Sequence, residues 1–401
     1  MRIAMLDPGN YSPLYDANLC HALAGRGHEV SLATSEFLFE PVPPLGGYRV
    51  EYDFFRLVAA SGLLRRRART RRLVKAAAYP VEMARWTART ARRPPNVVHV
   101  EWSLFPLLDA RLVARLRRKG ARLVYTAHDV EPLPGSTWSA AGFARLYRQA
   151  DAVIVHAVDA RERLVAGHGV DARLVHVVPM GGPGAYAQEP SPRAEARRTL
   201  GLDPKAPYLL FFGLIKEHKG LDLLLEALAL ARRERPEVRL LVAGEPMGSW
   251  RPYAERIARL GLAGSVELRL GYIPNAKAHL YFGAADVAVL PYQQIFQSGV
   301  VLASYAFARP VVATDVGGLG EIVREGETGF LAPPDDPARL AETLLHALSD
   351  PAALVRMGAT AASFARERHS WAHIAARHEE IYEESIRGGR NAPGQRRSNR
   401  L

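Results

Sequence analysis

Two stretches of the sequence carry residue types suited to gripping a diphosphate. The first, Phe212-Gly213-Leu214-Ile215-Lys216-Glu217-His218-Lys219-Gly220, leaves an apolar run and enters the helical pattern Leu221-Asp222-Leu223-Leu224-Leu225. The second, Gln297-Ser298-Gly299-Val300, opens another helical pattern after the apolar run Val287–Leu290. Lys216 and Lys219 offer cations beside Gly213, a residue that lets backbone approach a ligand closely. One such charge about 4 Å from a phosphate oxygen, at an effective dielectric of ~20, contributes on the order of 4 kcal/mol. Ser298 is a good N-cap, and Gly299 bares the first N–H groups of a helix whose macrodipole attracts anions. Taken singly, a lysine-rich turn describes a solvated loop and a capped helix is commonplace. Together, each between a strand and a helix, they suggest a sugar-nucleotide site whose lysines stabilise the departing diphosphate.

Such groups need a scaffold, and the hydropathy pattern supplies one. Apolar runs at Arg2–Asp7, Glu29–Thr34, Val97–Glu101, Leu123–Ala127, Ala152–His156 and Leu174–Val178 alternate with helical patterns. A second set follows at Tyr208–Gly213, Leu240–Gly244, Val266–Leu270, Val287–Leu290 and Val311–Thr314. Continuous Val/Leu/Ile runs separated by helices are what a parallel sheet covered on both faces requires. Two sets predict an α/β chain of two doubly wound domains, consistent with a length of 401 residues. The Gly/Pro cluster Pro179-Met180-Gly181-Gly182-Pro183-Gly184 marks the hinge, giving domains over 1–183 and 184–370. Helical spacing from Trp371 through Ile374 to Tyr382 predicts a terminal helix over 371–387 that crosses back to the first domain. Residues 388–401, basic and poor in apolar side chains, are expected to be a disordered tail.

Composition narrows the class. With 48% hydrophobic and 23% charged residues and no apolar run near bilayer length, the chain reads as soluble and cytoplasmic. Met1–Asp7 turns acidic too soon for a signal peptide, and the single cysteine, Cys20, permits no internal disulfide. A net charge of +12 favours anionic partners. The basic segment from Leu63 through Arg65-Arg66-Arg67 to Arg93, with Met83 and Trp86, suits either a solvated helix or one lying peripherally on the inner face of an anionic membrane. No nucleic-acid-reading motif accompanies the charge, so nucleic acid is not expected as a partner.

The second half resembles glycosyltransferase family 4, enzymes of the GT-B architecture that retain anomeric configuration. The match runs through Gly213–Leu228, Leu241-Val242-Ala243-Gly244, Gly271-Tyr272-Ile273-Pro274 and Ala284-Ala285-Asp286-Val287. It continues through Arg309–Gly318 and Glu321–Leu331. The first half matches more loosely, in Gly25–Val30 and in Tyr125-Thr126-Ala127-His128-Asp129. The resemblance implies a GT-B fold, a nucleotide-diphosphate sugar held on the second domain as co-substrate, and a hydroxyl acceptor, lipid-linked or anionic, on the first. It implies Lys219 and, in place of the usual basic residue at Leu214, Lys216 on the diphosphate. Gly213, Gly244, Gln297, Ser298, Gly299 and Val300 would line the donor, and the backbone around Tyr272 and Ile273 would meet the nucleobase. Two glutamates common in the family fall at Ile295 and Ala303, so ribose recognition passes to Glu245 or a backbone group.

In the family the counterpart of His128 lies against the donor sugar near the reacting carbon, which makes His128 a catalytic candidate with Lys216 and Lys219. Asp129 would orient His128 or touch the acceptor. Within the first strand–helix loop, Gly9 would approach phosphate, and Tyr15 or Asp16 would contact acceptor. No Asp-x-Asp pair ends a strand and no His/Cys cluster occurs, so no metal or other cofactor is expected; the lysines and a helix terminus take that part. The implied reaction is front-face transfer with retention. A sugar-nucleotide epimerase on the same fold, or a non-catalytic sugar-nucleotide or membrane binder, are the other readings.

Overall fold

The structure, a computed structural model, describes residues 1–131 and 140–390. Two parallel sheets dominate it. The first has seven strands: β1 (Arg2–Asp7), β2 (Glu29–Thr34), β3 (Arg49–Tyr52), β4 (Val97–Val100), β5 (Arg122–Thr126), β6 (Ala152–Val155) and β7 (Val175–Val177), in spatial order 3-2-1-4-5-6-7. The second has six: β8 (Tyr208–Phe212), β9 (Arg239–Gly244), β10 (Val266–Leu270), β11 (Val287–Leu290), β12 (Val311–Thr314) and β13 (Gly329–Ala332), in order 10-9-8-11-12-13. Both sheets reverse direction beside their first strand. That is the switch point at which loops leaving the carboxyl ends of neighbouring strands splay apart and open a crevice.

Interior strands are largely apolar because helices cover both their faces. Val97–Val100, Ala152–Val155, Val287–Leu290 and Val311–Thr314 are buried at every position. Two strands were not foreseen, β3 and β13, and both lie on sheet edges. With one neighbour and partial exposure, Arg49-Val50-Glu51-Tyr52 carries no continuous apolar signal.

The helix Trp371–Arg390 packs on the first sheet, burying Ile374, Ala375, Ile381 and Tyr382 with Ile3, Met5, Leu19 and Val124. Its helical path runs to Arg390, beyond the expected start of a tail at 388, and Arg387 reaches Glu383 at 3.9 Å in its last turns. The rest of the expected tail, 391–401, lies outside the described residues. Beside this return, the hinge segment is held by Trp371, whose Nε1 donates to Gly182 O at 3.0 Å, and by His369 Nδ1 on Met180 O at 2.7 Å.

The basic segment forms helices Gly62–Arg66 and Ala68–Thr90. Met83 and Trp86, in the segment read as either a solvated helix or one lying on a membrane, are in the core of the first lobe with Tyr79. Their spacing from Tyr79, four and seven residues on, puts all three on the helix face that covers the sheet. Among the described residues no helix is long and apolar enough to cross a membrane.

Candidate functional site

The clamp is built by two close approaches of backbone. Gly213 and Gly244 end the adjacent strands β8 and β9, and a Cβ on Gly244 would sit 1.7 Å from the Gly213 carbonyl oxygen. Gly220 has φ +65°, and a Cβ there would sit 1.9 Å from the Pro291 carbonyl oxygen. This second contact presses the Lys216–Lys219 turn against the loop leaving β11. Lys219 Nζ then lies 5.3 Å over the Tyr292 ring and 3.9 Å from where a Gly213 Cβ would be. Val300 stands 3.5 Å from that same point, so the ammonium, Gly213 and the start of helix Gly299–Ala306 converge. Ser298 caps that helix; its Oγ accepts from Val300 N–H at 3.3 Å. One of the expected free amides is therefore occupied within the chain.

Burial without a carboxylate partner draws the Lys219 ammonium down to a pKa of about 8, and desolvation with Lys219 nearby also lowers Lys216. Two cations held together this way favour an anion between them. Gly213, Gly244, Glu245, Tyr272 and Ile273 line a neighbouring cavity of about 220 Å³, so the residues named for the nucleoside share one pocket. Tyr272 also meets the other lobe. Its hydroxyl donates to Glu40 at 2.8 Å and its ring stacks on Phe39 at 4.9 Å. Ile295 and Ala303, where the family's glutamates would be, pack on the second lobe's apolar cluster.

Facing the clamp, His128 lies two residues past the end of β5, beside four groups. Its Nε2–H donates to Glu101 Oε2 at 2.9 Å, and its ring stacks on Trp102 at 4.7 Å and 9°. Its Nδ1 accepts from Gln297 Nε2 of the opposite lobe at 3.1 Å, and His156 Nε2 stands 3.3 Å from the same nitrogen. These tautomers follow from the partners: Glu101 takes the Nε2 proton, and His156 gives its Nδ1 proton to Val178 O at 2.9 Å. Burial lowers the His128 pKa to about 3, so the imidazole is neutral at physiological pH. Gln297 Oε1 is buried with no protein partner, an acceptor left open in the cleft. Asp129 is raised to about 6 by burial, and the Lys216 charge across the cleft opposes that rise.

Two expected acceptor contacts change role. Asp16 is fully buried and Tyr15 is 5% exposed, so neither side chain reaches the cleft. Tyr15 packs edge-on against His128 at 5.3 Å and against Trp371 at 5.1 Å. Desolvation, with Asp7 and Glu101 nearby, pushes Asp16 well above the carboxylate range, while Asp7 rises to about 6. Asp7 instead organises the loop, accepting from the N–H groups of Gly9, Tyr11 and Ser12. Gly9 stays at the cleft, where its lack of a side chain admits the Tyr11 ring. Glu101, Trp102, His156 and Glu40 were not singled out from sequence. Glu101 follows directly on β4, so the strand-end rule that drew attention to His128 applied to it equally. Among the described residues no group of three His, Cys, Asp or Glu side chains could hold a metal ion.

The lobes also meet away from the clamp. Helix Val158–His168 of the first lobe has no side-chain cap of its own. Glu321 of the second lobe accepts from its Val158 and Asp159 N–H groups at 2.8 and 2.9 Å.

Comparison with known proteins places this arrangement in a class. A sucrose-phosphate synthase from Thermosynechococcus elongatus superposes with a TM-score of 0.76 at 22% identity, covering 97% of this chain and 100% of that one. HepE of Anabaena, solved in complex with UDP and glucose, superposes with a TM-score of 0.72 at 19% identity, over 96% and 100%. The fold is GT-B. The family models described as "Glycosyltransferase Family 4" and "Glycosyl transferases group 1" match residues 15–181 and 206–350. A D-inositol 3-phosphate glycosyltransferase of Streptomyces bingchenggensis is 36% identical over 62% of this chain and 56% of its own length. One from Catenulispora acidiphila is 31% identical over 80% of each. The chain spans 56–61% of the length of the first curated relatives it matches. It belongs to glycosyltransferase family 4.

Proposed function

We propose that this chain transfers a sugar from a nucleotide-diphosphate sugar to a hydroxyl acceptor, retaining anomeric configuration and needing no metal. The observation that carries this reading is the convergence of Lys219, Gly213 and the helix start at Val300, directly across the cleft from His128. In this reading the diphosphate lies against Lys216, Lys219 and the amides near Gly299, which neutralise charge as the bond to the sugar breaks. The nucleoside occupies the cavity at Gly244, Glu245, Tyr272 and Ile273. Gln297 Oε1, unpartnered, accepts from a sugar hydroxyl, and His128, neutral and fixed by Glu101, holds the Gln297 amide through its Nδ1 and lies beside the same sugar. The acceptor hydroxyl approaches from the Asp129 side, and the leaving diphosphate helps to take its proton. The ligands in the HepE structure make UDP-glucose the first donor to try, and the names of the inositol-phosphate relatives make a phosphorylated hydroxyl compound a reasonable first acceptor.

The test is incubation with a panel of nucleotide sugars in the presence of EDTA, with products followed by NMR. Sugar released or transferred with its anomeric configuration kept supports the reading. Inverted product would overturn retention, and dependence on added divalent cation would overturn metal independence. A changed sugar still attached to nucleotide would replace transfer with epimerisation.

A further inference from the structure

A hollow beside His128 lies on the first lobe, a cavity of about 820 Å³. Its walls come from the carboxyl edge of the first sheet: Gly9 and Tyr11 after β1, the Trp102–Leu107 loop after β4, His128 and Asp129 after β5. Helix Ala68–Thr90 closes the far side with Arg72, Lys75 and Tyr79. Its lining has two characters, cationic and apolar.

One end is cationic. Lys75 is half-buried, and its pKa is lowered by that burial and by Arg71. Its ammonium rests 4.5 Å over the Phe55 ring. Arg72, three residues earlier, lies on the same side of the helix. The carboxylates of Asp7 and Glu82 act on Lys75 from a distance and form no ion pair with it, so a half-buried cation next to a second cation is set to receive an anion. The other side is apolar and open. Tyr11, Phe105 and Leu107 are 60%, 39% and 46% exposed at the cavity rim, and Leu104 stands between them and the floor. Asp109 holds this rim in place; it accepts from Ser103 Oγ at 2.5 Å and Tyr79 Oη at 2.9 Å. A small phosphorylated polyol would fill the cationic end and leave these rings and the leucines facing water.

We infer that this cavity is the acceptor subsite and that it takes an amphiphile: an alcohol carrying an anionic group, bound by Lys75 and Arg72, with an apolar body laid along Tyr11, Phe105 and Leu107. The inference rests on the glycosyl-transfer reading of the cleft. The hydroxyl then faces His128 and Asp129, which share the cavity wall.

Isothermal titration calorimetry of the full chain tests it with three probes: dodecyl phosphate and dodecyl maltoside, both below micelle-forming concentration, and inorganic phosphate. Dodecyl phosphate should bind at one site and more tightly than either other probe. K75A and R72A should each weaken it by about tenfold or more, as expected for loss of a charged hydrogen bond. Phe105→Ser with Leu107→Ser should weaken dodecyl phosphate by roughly tenfold and leave inorganic phosphate unchanged. Equal binding of both dodecyl compounds, or no effect of K75A and R72A, would overturn the anionic subsite. Equal affinity for inorganic and dodecyl phosphate would overturn the amphiphile in favour of a small phosphorylated acceptor. Circular dichroism checks that each variant is folded, and Lys75→Gln serves if K75A is not. UDP-glucose titrated in parallel separates the two readings: donor binding that persists while dodecyl phosphate fails sinks only the acceptor proposal. Dodecyl phosphate binding lost in K219M would place that probe in the diphosphate clamp and overturn the subsite.

Discussion

Lys219→Met gives a prediction in which activity and stability move in opposite directions. In the free protein the ammonium is desolvated, lacks a carboxylate partner and has a pKa of about 8, down from 10.5. The unfolded chain therefore binds this proton more tightly between pH 8 and 10.5, and the fold gains stability as pH rises through that window. At neutral pH the charge costs the fold up to about 3 kcal/mol, and Met, of similar length, removes that cost. The melting temperature of the variant should thus equal or exceed that of the wild type at pH 7, with the difference closing near pH 10.5. Catalysis should fall steeply. A lysine about 4 Å from a diphosphate oxygen contributes roughly 4 kcal/mol at an effective dielectric of ~20, near three decades in kcat/KM, and solvent at the cleft mouth trims this to two or three. The pH profile carries the same signature. Wild-type kcat/KM should decline above pH 8 as free Lys219 deprotonates, whereas kcat should hold to higher pH because bound diphosphate restores the proton. Steady-state kinetics across pH 6–10 with parallel thermal melts provides the data. Turnover by K219M within about threefold of wild type would refute an electrostatic role for this lysine, and a lower melting temperature at pH 7 would refute the desolvation reasoning.

Two further outcomes are expected. Glu101→Gln keeps the shape beneath His128 but removes its charge; the difference between a charged and a neutral hydrogen bond, about 1–2 kcal/mol, should lower kcat roughly tenfold with little change in donor KM. Gly244→Ala puts a methyl on the Gly213 carbonyl and should cost about 3 kcal/mol by urea unfolding while abolishing UDP-glucose binding.

Interior architecture was open to inspection in the sequence because it rests on repetition. Eleven of the strands announce themselves as apolar runs, and their carboxyl ends are where both lysines, Gln297 and His128 emerge. Of the two strands that stayed hidden, β3 did so because its half-exposed edge backbone tolerates Arg49 and Glu51. The clamp was visible for a similar reason: Lys216, Lys219 and Ser298 each sit within a few residues of a strand–helix boundary. What surrounds His128 was not, since Glu101, His156 and Gln297 come from three separate segments and only the folded chain brings them to one imidazole. Tyr15 and Asp16 mislead for another reason. A polar residue in the first turn of a helix near a strand end looks accessible, but the return helix and Trp371 close over this one. Met83 and Trp86 mislead likewise, because a helix with arginine on one side and large apolar groups on the other reads the same whether it covers a sheet or a bilayer.

The carboxylate of Glu321 completes a helix that belongs to the other lobe. Two hydrogen bonds of 2.8 and 2.9 Å set how far apart the lobes stand at that point. A capped helix end is worth about 1 kcal/mol, so widening the gap leaves Val158 and Asp159 to water at that modest expense. A first lobe produced on its own would carry the same helix with a frayed beginning. The second lobe's Phe296 is buried in the first lobe's core, so the two halves share that contact as well as one unfinished helix end, and the gap between them has a preferred width.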